Sequence, residues 1–281
     1  MATTYFNDTK LNPFGEIKKL PLQANGVTSS AYSIHLETPL DEKHDWKEVG
    51  VVGNDYLLVP NQNVVDMVHE MTDKSDMEWQ ENRTFFNGRQ FMYSMTTNDI
   101  TAEVAVGDTV GLGIAAWNSY NGSRNLSYSF FANRLACLNG MTSKVHFFDR
   151  RFKHDNTSVE WAKELEGIVN VMHNASQNLV DFAGACKGLN EIGRLNTLEL
   201  STIRSKYIPG LPVTIFGKIM DKYLMESDYE EQTGWDFLNA STNLLWHNKK
   251  GTAADYDNNQ YITDGLLEYA KERDSWKAAS I

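Results

Sequence analysis

The chain has 281 residues, with 26 Lys and Arg against 37 Asp and Glu, a net charge of −11 with His neutral. Its 41% hydrophobic and 22% charged residues exclude collagen-like, disordered and disulfide-scaffold proteins, and no apolar run reaches the roughly 20 residues that a bilayer helix needs. The length suits one large domain with a real core, read here as a single domain over 1–281.

The first 50 residues read as irregular, with short strand candidates such as Ala31 to Leu36. Tyr56-Leu57-Leu58-Val59 reads as a short buried strand ended by Pro60. Asn61 is placed to cap a helix from Gln62 to about Met71, with Val64, Val65, Val68 and Met71 on its apolar face. Arg83 to Phe86 and Arg89 to Tyr93 flank Asn87-Gly88, the signal for a hairpin with a type I′ turn. Thr109 to Trp117 and Asn125 to Phe131 form a second strand pair around Asn121-Gly122. A helical turn is expected near Phe131 to Leu138, stopped by Asn139-Gly140, and Lys144 to Phe148 reads as one more strand.

After residue 155 the period changes. Trp161, Leu165, Ile168, Met172, Ala175, Leu179, Phe182 and Cys186 alternate in steps of four and three. That seam predicts one helix of roughly 30 residues. Asn156 or Thr157 can cap it, with Glu160 completing a capping box, and Gly188 is the natural stop. Val169, Val180 and Ala183 widen the stripe. Further helices are expected over Ile192 to Tyr207, over Val213 to Met225, around Trp235 to Leu245, and around Ile262 to Ala270. The fold class is therefore α+β. Residues 1–155 form a β-rich half with antiparallel hairpins, and 156–281 form a helical half with one long central helix.

Several chemical motifs fail on context. Gly111-Leu-Gly113-Ile-Ala-Ala116 matches a dinucleotide pattern, but a turn follows where a helix should open. Asp255-Tyr-Asp257-Asn-Asn259 resembles the start of a calcium loop, yet Gln260 and Leu266 stand where Gly and Glu are needed, so it reads as a polar loop before the last helix. The seven histidines lack metal-ligand spacing. No metal and no cofactor are expected. Cys137 and Cys186 read as small buried hydrophobes. Met1 to Tyr5 lacks the basic start of a secretory signal, which points to the cytoplasm.

Charge is more informative when divided. Residues 82–154 hold eight Lys and Arg against four Asp and Glu, a net +4, between flanks of net −8 over 1–81 and −6 over 219–281. An anionic partner would meet this basic middle. Its candidate binding residues are Arg83, Arg89, Trp117, Tyr120, Arg124, Lys144, Arg150, Arg151 and Lys153. The cations could follow a phosphate backbone and the aromatics could stack on bases.

Within this segment, Asn118-Ser119, Gly122-Ser123, Arg134-Leu135, Cys137 and Asn139-Gly140 resemble the domain-of-unknown-function family numbered 932, borne by phages and plasmids. That family carries an Asn-Ser-x-x-Gly-Ser turn followed by Arg-Leu-x-Cys-x-Asn-Gly. Tyr56 to Val59 with Asn61, and Trp235, Asn239, Ala240, Thr242 and His247, resemble two further family segments. Tyr120-Asn121 departs from the family's usual residues at the turn. The resemblance implies a mobile-element protein and supplies no catalytic residues. Physically, Asn118 and Ser119 can shape a turn, Gly122 and Gly140 permit positive φ, and Arg134 needs a partner if it is buried.

The function expected from these features is single-stranded DNA binding or annealing in recombination or replication, without enzymatic activity. Phage annealing proteins offer an analogy, since they pair a sheet with a long helix and assemble into rings or filaments. The expected partners are single-stranded DNA and further copies of the chain, with no membrane. Two alternatives are carried: an interaction factor acting on a host protein, and a metal-dependent nucleic-acid enzyme.

Overall fold

A computed structural model describes residues 3–6, 11–40, 43–155, 158–226, 232–248 and 253–279. It is α+β, with strands in the N-terminal half and helices in the C-terminal half. One sheet has three strands in the order β2 (Ile17–Ala24), β3 (Val27–Leu40), β4 (Lys43–Gly53). The described residues among the first 50 are thus largely in strands. Ile34, Leu36 and Thr38 alternate into the interior along β3, and these few inward residues suffice for a strand whose other face is polar. Pro21 lies in the edge strand β2, where a missing N–H costs no ladder bond. Asn25 and Gly26 join β2 to β3 with φ of 52° and 77°, the geometry of a type I′ turn.

The larger sheet runs β1 (Thr3–Phe6), β5 (Trp79–Phe86), β6 (Gln90–Ala105), β7 (Asp108–Ser119), β8 (Leu126–Arg134), β10 (Asp149–Phe152), with β9 (Asn139–Met141) also on β8. Both expected hairpins are present. The first turn differs from the expected type I′: at Asn87-Gly88 only the glycine has positive φ, while Asn121-Gly122 is a turn as expected. Asn87 instead accepts at Oδ1 from the N–H groups of Arg89 and Gln90, at 3.0 and 2.7 Å, closing a three-residue loop. Strand β8 runs straight through Phe131 to Arg134, where the sequence suggests a helical turn. Lys144 to Phe148 is a turn, and the strand follows it as β10.

Tyr56 to Val59 is irregular and only partly buried. Helix α1 (Asn61–Asp73) follows, but Asn61 is its first residue and not its cap. The Asn61 side chain is buried and donates from Nδ2 to the Pro13 carbonyl, 3.0 Å.

Helix α2 (Ser158–Glu191) has 34 residues. The six seam residues from Ile168 to Cys186 are buried; the side chains of Trp161 and Leu165, and the cap candidates Asn156 and Thr157, lie outside the described residues. Val169 and Val180 are exposed, so the apolar stripe stays narrow and only Ala183 widens it. Gly188 sits inside the helix. The stop comes at Gly193, whose φ of 70° gives the left-handed C-terminal turn.

That break splits the next expected helix. Asn196 and Glu199 form a reciprocal capping box for α3 (Thr197–Thr202), which passes into a π-helical turn, Ile203–Tyr207. Arg204 ends it by donating from one guanidinium nitrogen to the carbonyls of Ile208 and Pro209, 3.1 and 2.9 Å. Helices α4 (Val213–Glu226), α5 (Gly234–Trp246) and α6 (Ala253–Ala279) complete the chain. In α4, Ile219 and Tyr223 are buried but Leu224 is exposed. Asp255 to Asn259 belongs to α6 and is not a loop.

The chain packs as two compact units. The first comprises 1–96, 114–129 and 149–173; the second comprises 97–113, 130–148 and 174–281. The boundary expected near 155 is therefore a change of element type, while the two units exchange segments on either side of it. Among the described residues no helix is long and apolar enough to cross a membrane.

Candidate nucleic-acid interface

The motif that begins at Asn118 closes β7 and turns into β8. Ser119 pins this turn from both directions: its Oγ donates to the Arg124 carbonyl at 2.7 Å and accepts from the Arg124 N–H at 3.1 Å. Asn121 Oδ1 accepts from the Ser123 N–H and hydroxyl, 3.2 and 2.6 Å. Gly122 supplies the left-handed residue, φ 69°. Gln90 Nε2 donates to Ser123 Oγ, 2.9 Å, and the Tyr120 N–H donates to the Arg89 carbonyl, 2.7 Å. The two loops, 87–89 and 120–125, are therefore joined.

Behind the turn lies a polar interior. Asn118 Nδ2 donates to the Val59 carbonyl and to Asn61 Oδ1, 2.8 and 2.9 Å. The Asn61 N–H donates to the Tyr120 hydroxyl, 3.1 Å. The Tyr56 hydroxyl donates to the Ser119 carbonyl, and its ring stacks on His154 at 4.5 Å. Burial pushes the Tyr56 phenol up to about 12 and the Tyr120 phenol well above its ordinary value. Burial also pulls the His154 imidazole below its ordinary value. These groups keep one protonation state near neutral pH and brace the turn.

The predicted cations divide by position. Strand β10 pairs with β8, placing Phe152 opposite Leu126 and Arg151 opposite Ser127. The start of β6, the end of β7, the start of β8 and the end of β10 thus share one rim of the sheet. That rim carries Arg89, Arg124 and Lys153, with Arg151 one residue into the strand. Arg89, Arg150, Arg151 and Lys153 are exposed and Arg124 is half-buried. Arg151 also pairs with Asp149, 2.6 Å. The Arg124 guanidinium lies over the Trp117 ring, 4.1 Å from its centroid, which holds its plane in place.

Three candidates are interior residues. Arg83, Trp117 and Tyr120 are buried, because their strands are covered on both faces. Trp117 and Tyr120 thus support the rim from below and offer no stacking surface to bases. Lys144 is exposed but belongs to the other unit, where its N–H donates to Asp264.

The second half of the motif lies wholly in the second unit. Arg134 grips Asp108 with two nitrogens, Nε to Oδ1 at 2.8 Å and one terminal nitrogen to Oδ2 at 2.7 Å. Trp235 Nε1 donates to the same Oδ2, 2.7 Å. Burial pushes the Asp108 carboxyl up, but the hydrogen bonds from Arg134 and Trp235 outweigh it and hold it below its ordinary value. Asp108 is a residue that sequence reasoning misses; its only signal is a lone acid opening an apolar strand. Cys137 is a free thiol beside Arg134, and Cys186 is fully buried. Gly140 does not use positive φ: a Cβ there would lie 2.5 Å from the Trp246 ring. Asn139 Oδ1 accepts from Asn243 Nδ2 and His247 Nε2, 3.0 and 2.9 Å. Asn259 bridges Thr142 and the Gly140 carbonyl.

Gly111 and Gly113 sit inside β7, where Cβ atoms would meet the Thr97 carbonyl and the Phe131 ring. No dinucleotide turn exists there. Among the described residues no three His, Cys, Asp or Glu side chains gather in a metal-binding group.

A family model described as "Domain of unknown function (DUF932)" matches residues 48–267, well over half of the chain. No curated protein and no solved structure matches.

Proposed function

The chain belongs to the DUF932 family, and from that premise we propose that it binds single-stranded nucleic acid through phosphate contacts, without enzymatic chemistry. The carrying observation is the rim. Three chain segments distant in sequence bring Arg89, Arg124, and Arg151 with Lys153 to adjacent strand ends. With strands about 4.8 Å apart, four neighbouring ends span roughly 15 Å, enough for several phosphates of one strand. The cations stand in the net-positive segment 82–154 of an otherwise acidic chain, so a polyanion is drawn to this rim and repelled elsewhere.

Buried Trp117 and Tyr120 change the mode of binding. Bases are not stacked on these rings, so binding rests on the backbone and is indifferent to sequence. Annealing in recombination or replication fits such a mode, with copies of the chain assembling along the strand.

A fluorescently labelled oligothymidylate, titrated at several salt concentrations, tests this reading. Four phosphate contacts give a log–log salt slope of about −3 for a single strand. Light scattering on the same samples reads the assembly. Absence of binding at low salt, or a slope near zero, overturns the proposal. Recovery of one specific host protein in its place would favour the interaction-factor reading.

A further inference from the structure

The second unit contains a cavity of about 280 Å³ that the rim does not use. It opens where three helices meet: the flank of α4, the C-terminal end of α5 and the first turn of α6. Lys218 and Lys222 line it from α4, one helical turn apart. Asn243, His247 and Asn248 line it from α5 and its end, and Asp255 from α6. Ile215 and Leu244 add apolar wall.

The wall is fixed by the family-like segments. His247 Nε2 faces two acceptors, the Cys137 carbonyl at 3.2 Å and Asn139 Oδ1 at 2.9 Å. The Asn139 oxygen is assigned by its second donor, Asn243 Nδ2. Two acceptors require the proton on Nε2, so the ring is locked in one tautomer and one orientation. Asn248 Nδ2 donates to Asp255 Oδ2, 3.0 Å, which ties the start of α6 to the end of α5.

We propose that this cavity binds a small phosphate monoester. Two lysines and one aspartate line it, a formal excess of one positive charge, which suits an anion. The lysine pair matches a dianion better than a monocarboxylate. Asn243, Asn248 and the apolar wall suit a compact polar organic group beside the phosphate. The volume sits at the lower end of small-molecule sites, about 300 Å³, which admits a sugar phosphate and excludes a polymer. This site is independent of the rim, which lies in the other unit.

Isothermal titration of the full chain with ribose 5-phosphate, inorganic phosphate and ribose tests the assignment. Saturable binding is expected for ribose 5-phosphate, weaker binding for phosphate, and none for ribose. The double variant Lys218→Gln, Lys222→Gln is expected to weaken ribose 5-phosphate at least about tenfold. Lys218 is exposed, so Lys218→Glu alone should fold and should reverse the attraction. Oligonucleotide binding should survive in both variants, which separates this site from the rim. The proposal is overturned by absence of saturation up to about 10 mM ribose 5-phosphate, or by affinity unchanged in either lysine variant.

Discussion

The two halves of the family-like motif differ in what holds them. Asn118 to Arg124 forms a turn in the first unit, fixed by short side-chain-to-backbone hydrogen bonds around Ser119 and Ser123. Arg134 to Gly140 is fixed in the second unit by a bidentate ion pair and an aromatic ring. The first half carries its one cation, Arg124, half-buried at the rim; the second neutralises its cation, Arg134, against Asp108. Signature residues that are neighbours in sequence thus divide into a surface and a frame. Changes in the frame should cost stability first, and changes at the surface should cost binding first.

The largest loss of stability is expected at Asp108. Asp108→Asn leaves Arg134 without its carboxylate and weakens the acceptor for Trp235. The expected loss is about 2–4 kcal/mol, below the roughly 3–5 kcal/mol of a fully buried pair because both side chains keep some exposure, read as a lower urea midpoint. The pH dependence follows from the lowered native value. A carboxyl whose folded value lies below its unfolded one contributes stability that is complete above the unfolded value, near pH 4. That contribution disappears as pH falls through the folded value. The native chain should therefore lose stability steeply in acid, and Asp108→Asn should show a shallower slope there. Equal slopes would mean that the pair does not frame the fold.

Next in size is Gly140→Ala. The new methyl would meet a Trp246 ring that is itself packed on Phe131, with centroids 5.0 Å apart. Overpacking of this kind costs about 1–3 kcal/mol. A thermal midpoint unchanged by the substitution would show that the ring can step aside. At the surface half, Asn118→Ala removes the amide donor of Val59 and Asn61. It should cost about 1–2 kcal/mol and also loosen the turn that carries Arg124. Asn118 thus braces the turn from within its own unit, and oligonucleotide affinity should fall together with stability.

Legibility in the sequence follows the same division. The seam of α2 and the hairpins are readable because periodicity and Asn-Gly pairs are local signals. The type I′ turn at Asn25-Gly26 is harder to see because Thr28, Ser29 and Ser30 disguise the start of β3. The break at Gly193 and the capping box at Asn196 are legible signals hidden by the apolar pattern across 192–207. Of the site, Arg89, Arg124, Arg150, Arg151 and Lys153 come from dividing the charge. Their convergence on one rim requires strand pairing, which no local pattern carries. Burial of Trp117 and Tyr120 is equally hidden, since a two-faced strand has no polar alternation to reveal which face is covered. Arg134 is marked in the sequence as a cation needing a partner; that the partner is Asp108, 26 residues away, is a tertiary fact.

The smallest effect on stability is expected at Arg89, and it decides most about function. Arg89 is exposed at the tip of a three-residue loop, and the bond that joins this loop to the motif turn uses its backbone carbonyl. Arg89→Gln keeps that bond, so stability should stay within about 0.5 kcal/mol. If the side chain neutralises one phosphate, the salt slope should shrink by about 0.7, with affinity lowered alike for every oligonucleotide sequence. Lys153→Gln should do the same from the opposite side of the rim, and the two losses should add because the residues flank different strands. A variant that binds more weakly at an unchanged slope would place the phosphate contacts elsewhere. It would return Arg89 to the role of a solvated loop residue.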